Sequence, residues 1–174
     1  MAITSTLGGY TAQCGRQSGG VSIIGLIAAQ DIKSITVSEG VITAITFETG
    51  KCFKKYDSAL DNAEYKFSSN EASIQFRFNR NSAASSKAYN EIIEVAGCGI
   101  IAIATMNNGE TVLLGYTEEF KFARPLMTVE PDASSGKAIS DANYFDVTLK
   151  SSQVVAPLFL SDSLEVASLY EAAV

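Results

Sequence analysis

Residues 73–80 read Ser-Ile-Gln-Phe-Arg-Phe-Asn-Arg. Ile74, Phe76 and Phe78 alternate with Gln75, Arg77 and Asn79. A period of two puts one set on each side of a pleated strand, so this segment has one face in a core and one in water. Residues 145–150 repeat the pattern, with Phe145, Val147 and Leu149 set against Asp146, Thr148 and Lys150. Residues 100–106 (IIAIATM) and 111–116 (TVLLGY) flank Asn107-Asn108-Gly109. Asn and Gly tolerate the positive φ of tight turns, which predicts a hairpin. Residues 21–29 (VSIIGLIAA) read as a buried strand, and 35–37 and 41–48 (VITAITFE) as two more. Residues 51–56 (KCFKKY) are expected to return along 41–48 across a Thr49-Gly50 turn. Phe120 and Phe122 suggest a short strand, 126–130 another, and 131–140 (PDASSGKAIS) a loop. Pro157 within 154–160 (VVAPLFL) favours an edge strand, because proline cannot donate to a ladder.

Residues 82–95 carry a helical pattern. Ala88, Ile92 and Val95 share a face, Tyr89 and Ile93 lie beside them, Ser85 or Ser86 offers a cap, and Gly97 ends the run. The sum is about eight to ten strands and one helix. The predicted fold is mainly β: an antiparallel β-sandwich or barrel with one flanking helix, about residues 85–96. Residues 1–20, rich in Gly, Ser and Thr, form an irregular N-terminal arm; 21–160 form the single β-rich domain. Residues 161–174 are a C-terminal tail or a short helix capped by Ser161 or Asp162. Residues 57–72 (DSALDNAEYKFSSNEA) are polar and read as a long excursion, a length uncommon in a loop without a task.

The chain has 174 residues, enough for one packed domain. Thirteen basic residues face 19 acidic ones, a net charge of −6, which argues against a general nucleic-acid binder. Residues 1–124 hold 11 basic and 12 acidic groups and residues 125–174 hold 2 and 7, so the C-terminal third is the acidic part. With no His, every imidazole base, His-dependent triad and His-metal site is excluded. Cys14, Cys52 and Cys98 have no zinc-like spacing and read as free thiols of a reducing compartment. Cys52, among Lys51, Lys54 and Lys55, is the more reactive candidate, although a half-buried structural cysteine is the simpler reading. Glu91/Glu94 and Glu118/Glu119 lack the convergence a glycosidase needs and read as solvated faces. Gly136-Lys137-Ala138 is not a phosphate loop, since no Ser or Thr follows the lysine. No run reaches the roughly 18 apolar residues needed to span a bilayer. The expectation is a non-enzymatic chain with no metal or cofactor.

An arm, a projecting excursion and a flanking helix suit assembly, because an arm can add to a neighbour's sheet edge and build rings. The candidate assembly contacts are Tyr56, Leu60, Tyr65 and Phe67 in or beside the excursion, and Tyr89 and Ile93 on the helix.

The order of elements resembles structural proteins of tailed phages and prophages of Bacteroidetes-type hosts, of the tail-tube or neck-ring kind. The resemblance covers about residues 14–160. It runs from Cys14 and Gly19-Gly20-Val21 through 41–47 to Phe53 and Tyr56, then 74–78 and the helix 87–95. It continues with Asn108-Gly109, Leu114-Gly115-Tyr116, and Ser140-Asp141-Ala142-Asn143 leading into 144–149. The chain departs from the pattern at Val112-Leu113, where such proteins often carry an aromatic pair, and at Tyr144, where they often carry Gly. The resemblance implies a virion protein made in the host cytoplasm. It would form a homomeric ring, as tail tube or neck/connector, beside neighbouring tail or neck proteins, with DNA only as passing cargo. The alternative is a carbohydrate- or protein-binding β-sandwich module on a tail or cell surface, which requires an exposed aromatic platform.

Overall fold

The computed structural model describes residues 7–12, 14, 18–58, 61–78 and 80–171. The strands are β1 (Val21–Ala28), β2 (Ile32–Ser38), β3 (Val41–Phe47), β4 (Lys54–Tyr56), β5 (Glu64–Ser68) and β6 (Glu71–Phe78). After the helix α1 (Ala83–Ala96) come β7 (Ile100–Met106), β8 (Thr111–Leu114), β9 (Thr128–Ser134), β10 (Tyr144–Ser152) and β11 (Leu158–Leu160). They form a seven-stranded sheet, β2-β3-β11-β8-β7-β1-β4, and a four-stranded sheet, β5-β6-β10-β9. The fold is a β-sandwich flanked by one helix.

Patterning explains the layers. In the small sheet Ile74 and Phe76 of β6 and Val147 and Leu149 of β10 are buried on one face, while Arg77 and Lys150 stay on the other. They meet Ile24 and Leu26 of β1 and Val112 and Leu114 of β8, so the main core lies between the sheets. β7 is apolar throughout because both of its faces are buried. Ile100, Ala102 and Ala104 face the main core. Ile101 and Ile103 face a second core with Ile32, Ile42, Phe53, Leu113 and Leu169. The second core draws residues from β2 and β3, so the large sheet curls back over its own centre.

Several expectations change. The excursion 57–72 contains β5, which pairs with β6 through a turn at Ser69 and Asn70, both with positive φ (53° and 59°). β4 pairs with β1 rather than β3, and the Phe53 amide donates to the Leu169 carbonyl (3.0 Å). The segment around Phe120 and Phe122 is a turn carrying one bridge, Thr117 to Lys121, not a strand. β9 runs through Pro131 to Ser134 where a loop was expected; as the sheet's last strand it tolerates a residue without an amide donor. β11 starts only after Pro157 and is interior, antiparallel to β8 and parallel to β3.

Ser82, not Ser85 or Ser86, caps α1. Its hydroxyl accepts from the Ser85 amide (3.4 Å) and the Ser85 hydroxyl accepts from the Ser82 amide (2.8 Å). The buried stripe is Ser85, Ile92 and Ala96, with Ala88 and Tyr89 half-buried and Val95 exposed. Gly97 keeps right-handed helical angles, and the left-handed residue is Gly99 (φ 99°). The C-terminal segment is docked: a 3₁₀ helix, Val166–Tyr170, sends Leu169 into the second core. Neither Ser161 nor Asp162 caps it; Glu165 precedes it and makes no side-chain cap bond.

Candidate functional site

Open strand edges are the elements from which a β-protein assembles. The large sheet ends at β2 and β4 and the small sheet at β5 and β9. β9 carries Pro131 beside Glu130 and Asp132, and β2 has two register irregularities against β3; both features blunt an edge. β5 presents Glu64 and Lys66 outward. β4, a three-residue strand carrying Lys54 and Lys55, has a groove beside it bounded by α1.

The groove is two clefts that share Tyr56. One, about 380 Å³, has Leu26, Ile92 and Ile100 among its lining, with Cys52 below and Asp31, Lys51, Lys54 and Glu91 around it. Lys51 Nζ lies 3.9 Å from Asp31 Oδ2. The other, about 610 Å³, is lined by Lys55, Phe78, Arg80, Ser82 and Ala88, among others. Burial, reinforced by the charge of Glu91, pushes the Tyr56 phenol above its ordinary pKa, so the groove wall is neutral there at physiological pH.

The outer face of the small sheet is the second feature. Register places Glu64, Lys66, Glu71, Arg77, Glu130, Asp132, Asp146 and Lys150 on it, five carboxylates against three cations. Arg77 grips Asp146 through Nε to Oδ1 (2.6 Å) and Nη2 to Oδ2 (3.0 Å), and its guanidinium lies 4.5 Å from the centre of the Tyr144 ring. Lys150 Nζ bridges Glu130 (3.0 Å) and Glu71 (3.6 Å). The hydrogen bond to Glu130, above all, raises the ammonium pKa. Arg77 and Lys150 are therefore held in ion pairs, and the face is net acidic.

Four of the six expected contact residues lie against the main core. Tyr56 packs 6.1 Å from Phe76 and Tyr89 packs 5.1 Å from Phe145, between ring centres, and Tyr65 and Phe67 sit on the inner face of β5. Ile93 is 46 % exposed, and Leu60 lies outside the described residues. The larger exposed apolar groups are elsewhere: Leu7 and Tyr10 in the arm, Met127, Ile139 and Val154. In the sequence these sit singly in unpatterned segments, where periodicity carries no signal.

Cys52 is buried, Cys14 and Cys98 are exposed, and all three are free thiols. Glu91 and Glu94 are exposed on α1, and Glu118 and Glu119 occupy the turn after β8. Among the described residues no group of three or more His, Cys, Asp or Glu is placed to hold a metal, and no helix is long and apolar enough to cross a membrane. Comparison with models of known protein families, with curated proteins and with solved structures finds no match to this chain.

Proposed function

We propose that the chain is a structural protein of a tailed-phage virion, assembling as a homomeric ring of the tail tube or neck/connector around the DNA channel. The observation that carries this reading is the open-ended sandwich together with the exposure of Leu7 (97 %) and Tyr10 (85 %) ahead of β1. The order of elements, which resembles tail-tube and neck-ring proteins, supplies the biological setting. The net acidic outer face of the small sheet agrees with DNA as passing cargo, because carboxylates repel phosphates and keep a channel from gripping them.

A carbohydrate-binding module is less well supported. It stacks sugars on exposed rings, and of the 7 Tyr and 9 Phe only Tyr10 is exposed. The test is the mass of the purified chain in solution, followed by negative-stain imaging at high concentration. Rings, stacked rings or tubes are expected. A strict monomer with no ring at any concentration overturns the reading.

A further inference from the structure

We propose that Asn108, at the tip of the β7–β8 hairpin, is a site of non-enzymatic modification. Its side-chain amide condenses with the Gly109 main-chain nitrogen, and water converts the product to isoaspartate, which unlocks the chain leading into β1. This rests on the hairpin alone and is independent of the assembly reading.

An asparagine amide is attacked by the main-chain nitrogen of the residue that follows it, and a Cβ on that residue hinders the approach. Asn108 is followed by Gly109, whereas every other asparagine of the sequence precedes a residue with a side chain. Asn108, Gly109 and Glu110 are exposed, so water and hydroxide reach the reacting atoms. Asn108 Oδ1 accepts from the Glu110 amide (3.0 Å), which lays the side chain along the main chain that attacks it and draws electrons from Cγ. Gly109 has a positive φ (94°) and nothing within 4 Å of where a Cβ would stand, which leaves room for a ring to close. The Gly109 amide donates to the Met106 carbonyl (3.0 Å). That bond lies at an exposed loop tip, where local opening is least costly, and its opening frees the nitrogen.

The step balances without any oxidant or reductant. The Gly109 nitrogen loses its proton and bonds to Asn108 Cγ; the Cγ–Nδ2 bond breaks, and Nδ2 takes up a proton and leaves as ammonia. Water then opens the resulting imide. Opening at Cγ gives aspartate on the ordinary main chain. Opening at the Asn108 main-chain carbonyl leaves the chain running through Cβ and Cγ, an isoaspartate with one more main-chain atom.

That atom falls where the structure has no slack. Asn107, the preceding residue, clasps the chain as it enters β1: its Nδ2 donates to the Gly19 carbonyl (2.7 Å) and its amide to that of Gly20 (3.0 Å). A Cβ at Gly20 would stand 2.9 Å from the same Nδ2, so the two segments are in close contact. The turn is closed by the Met106 amide on the Glu110 carbonyl (2.8 Å) and by the Gly109 amide on that of Met106. A longer main chain between these bonds displaces Asn107 and releases residues 19 and 20. Below the tip, Thr105 pairs with Thr111 and their hydroxyls meet at 3.0 Å, so the rest of the ladder holds.

The test incubates the full native chain, and the same chain unfolded in urea, in mildly alkaline buffer made with heavy-oxygen water. Peptide mapping by mass spectrometry reads amide-to-acid conversion at each asparagine, and isoaspartyl methyltransferase with radiolabelled S-adenosylmethionine reads isoaspartate. Asn108 is expected to convert before every other asparagine in the native chain, with isoaspartate as the main product. In that product the Asn107 amide should exchange its hydrogen at least about tenfold faster, as its bond to Gly20 is lost. An Asn108→Asp variant carries the new charge without the added atom, and its Asn107 amide should exchange as in the parent. A native chain that stays intact at Asn108 while the unfolded chain converts fully, or one in which another asparagine converts first, overturns the site. Unchanged exchange at Asn107 in the isoaspartate form, or equally fast exchange in Asn108→Asp, overturns the unlocking.

Discussion

Removing Asp146 tests how the small sheet holds its register. β6 and β10 form its centre, and Asp146 sits opposite Arg77 in the ladder between them. Its side chain is 10 % exposed and that of Arg77 28 %, so the pair stands between a surface ion pair and a fully buried one. Exposed pairs contribute about 0.2–1 kcal/mol, and breaking a buried one costs about 3–5 kcal/mol. The two charge-assisted bonds to one guanidinium, discounted for Arg77's contact with water, put Asp146→Ala at a loss of about 2 kcal/mol. For a chain of this size that lowers the melting midpoint by about 4–8 °C. Urea denaturation of Asp146→Ala, Arg77→Ala and the double variant isolates the pair, and a coupling of about 1.5 kcal/mol is expected. A coupling under about 0.5 kcal/mol would refute the argument, because the carboxylate would then be acting through packing alone.

Gly99→Ala should be severe: φ is 99° and an added Cβ would stand 2.5 Å from Pro125 Cγ. Gly40→Ala is the control. It also has positive φ (81°) but meets nothing within 4 Å, so thermal melts should show a cost of about 1 kcal/mol there and at least twice that at Gly99. Ile103→Ala opens the second core beneath β7, and denaturant titration should show a loss of about 2–5 kcal/mol with an unchanged slope. Burial pushes the Tyr170 phenol up to about 12 from 10.0. Its neutral form is thus favoured by folding, a contribution present below pH 10 and lost as pH rises toward 12. Tyr170→Phe should flatten the fall in stability over that window, and an unchanged slope would show that the phenol is not shielded.

Much of the fold is legible where one face of a strand is wet. Residues 73–80 and 145–150 announce themselves because polar residues alternate with apolar ones: Arg77 and Lys150 keep contact with water and Asp146 is held by Arg77, while Ile74, Phe76, Val147 and Leu149 are buried in the core. β7 is legible for the opposite reason, since an uninterrupted apolar run fits a strand covered on both faces. β5 escapes because only Tyr65 and Phe67 mark its inner side among polar neighbours, too few to establish a period. The partner of β4 escapes because nearness in sequence favours a hairpin with β3, while the Phe53 amide is satisfied by Leu169, far along the chain. The candidate contacts show the same limit. An aromatic in a polar segment reads equally as an interface anchor or an inward-facing core residue, and only the register of β5 and the packing of α1 distinguish them. The groove beside β4 has no linear signature, because its walls come from β1, β4, β6, β7 and α1.

β11 has a consequence for how the molecule is made. Phe159 pairs with Val41 and, on its other side, with Val112, so three residues near the end of the chain join two blocks of strands formed earlier. Synthesis proceeds from the N-terminus at about 5–20 residues per second, so β3 and β8 leave the ribosome before the strand that will lie between them. Until then β2-β3 and β8-β7-β1-β4 are separate ribbons, each with a bare inner edge open to pairing with a nascent neighbour. A message cut short before codon 158 would not encode a smaller sandwich; it would encode two unjoined halves of a sheet.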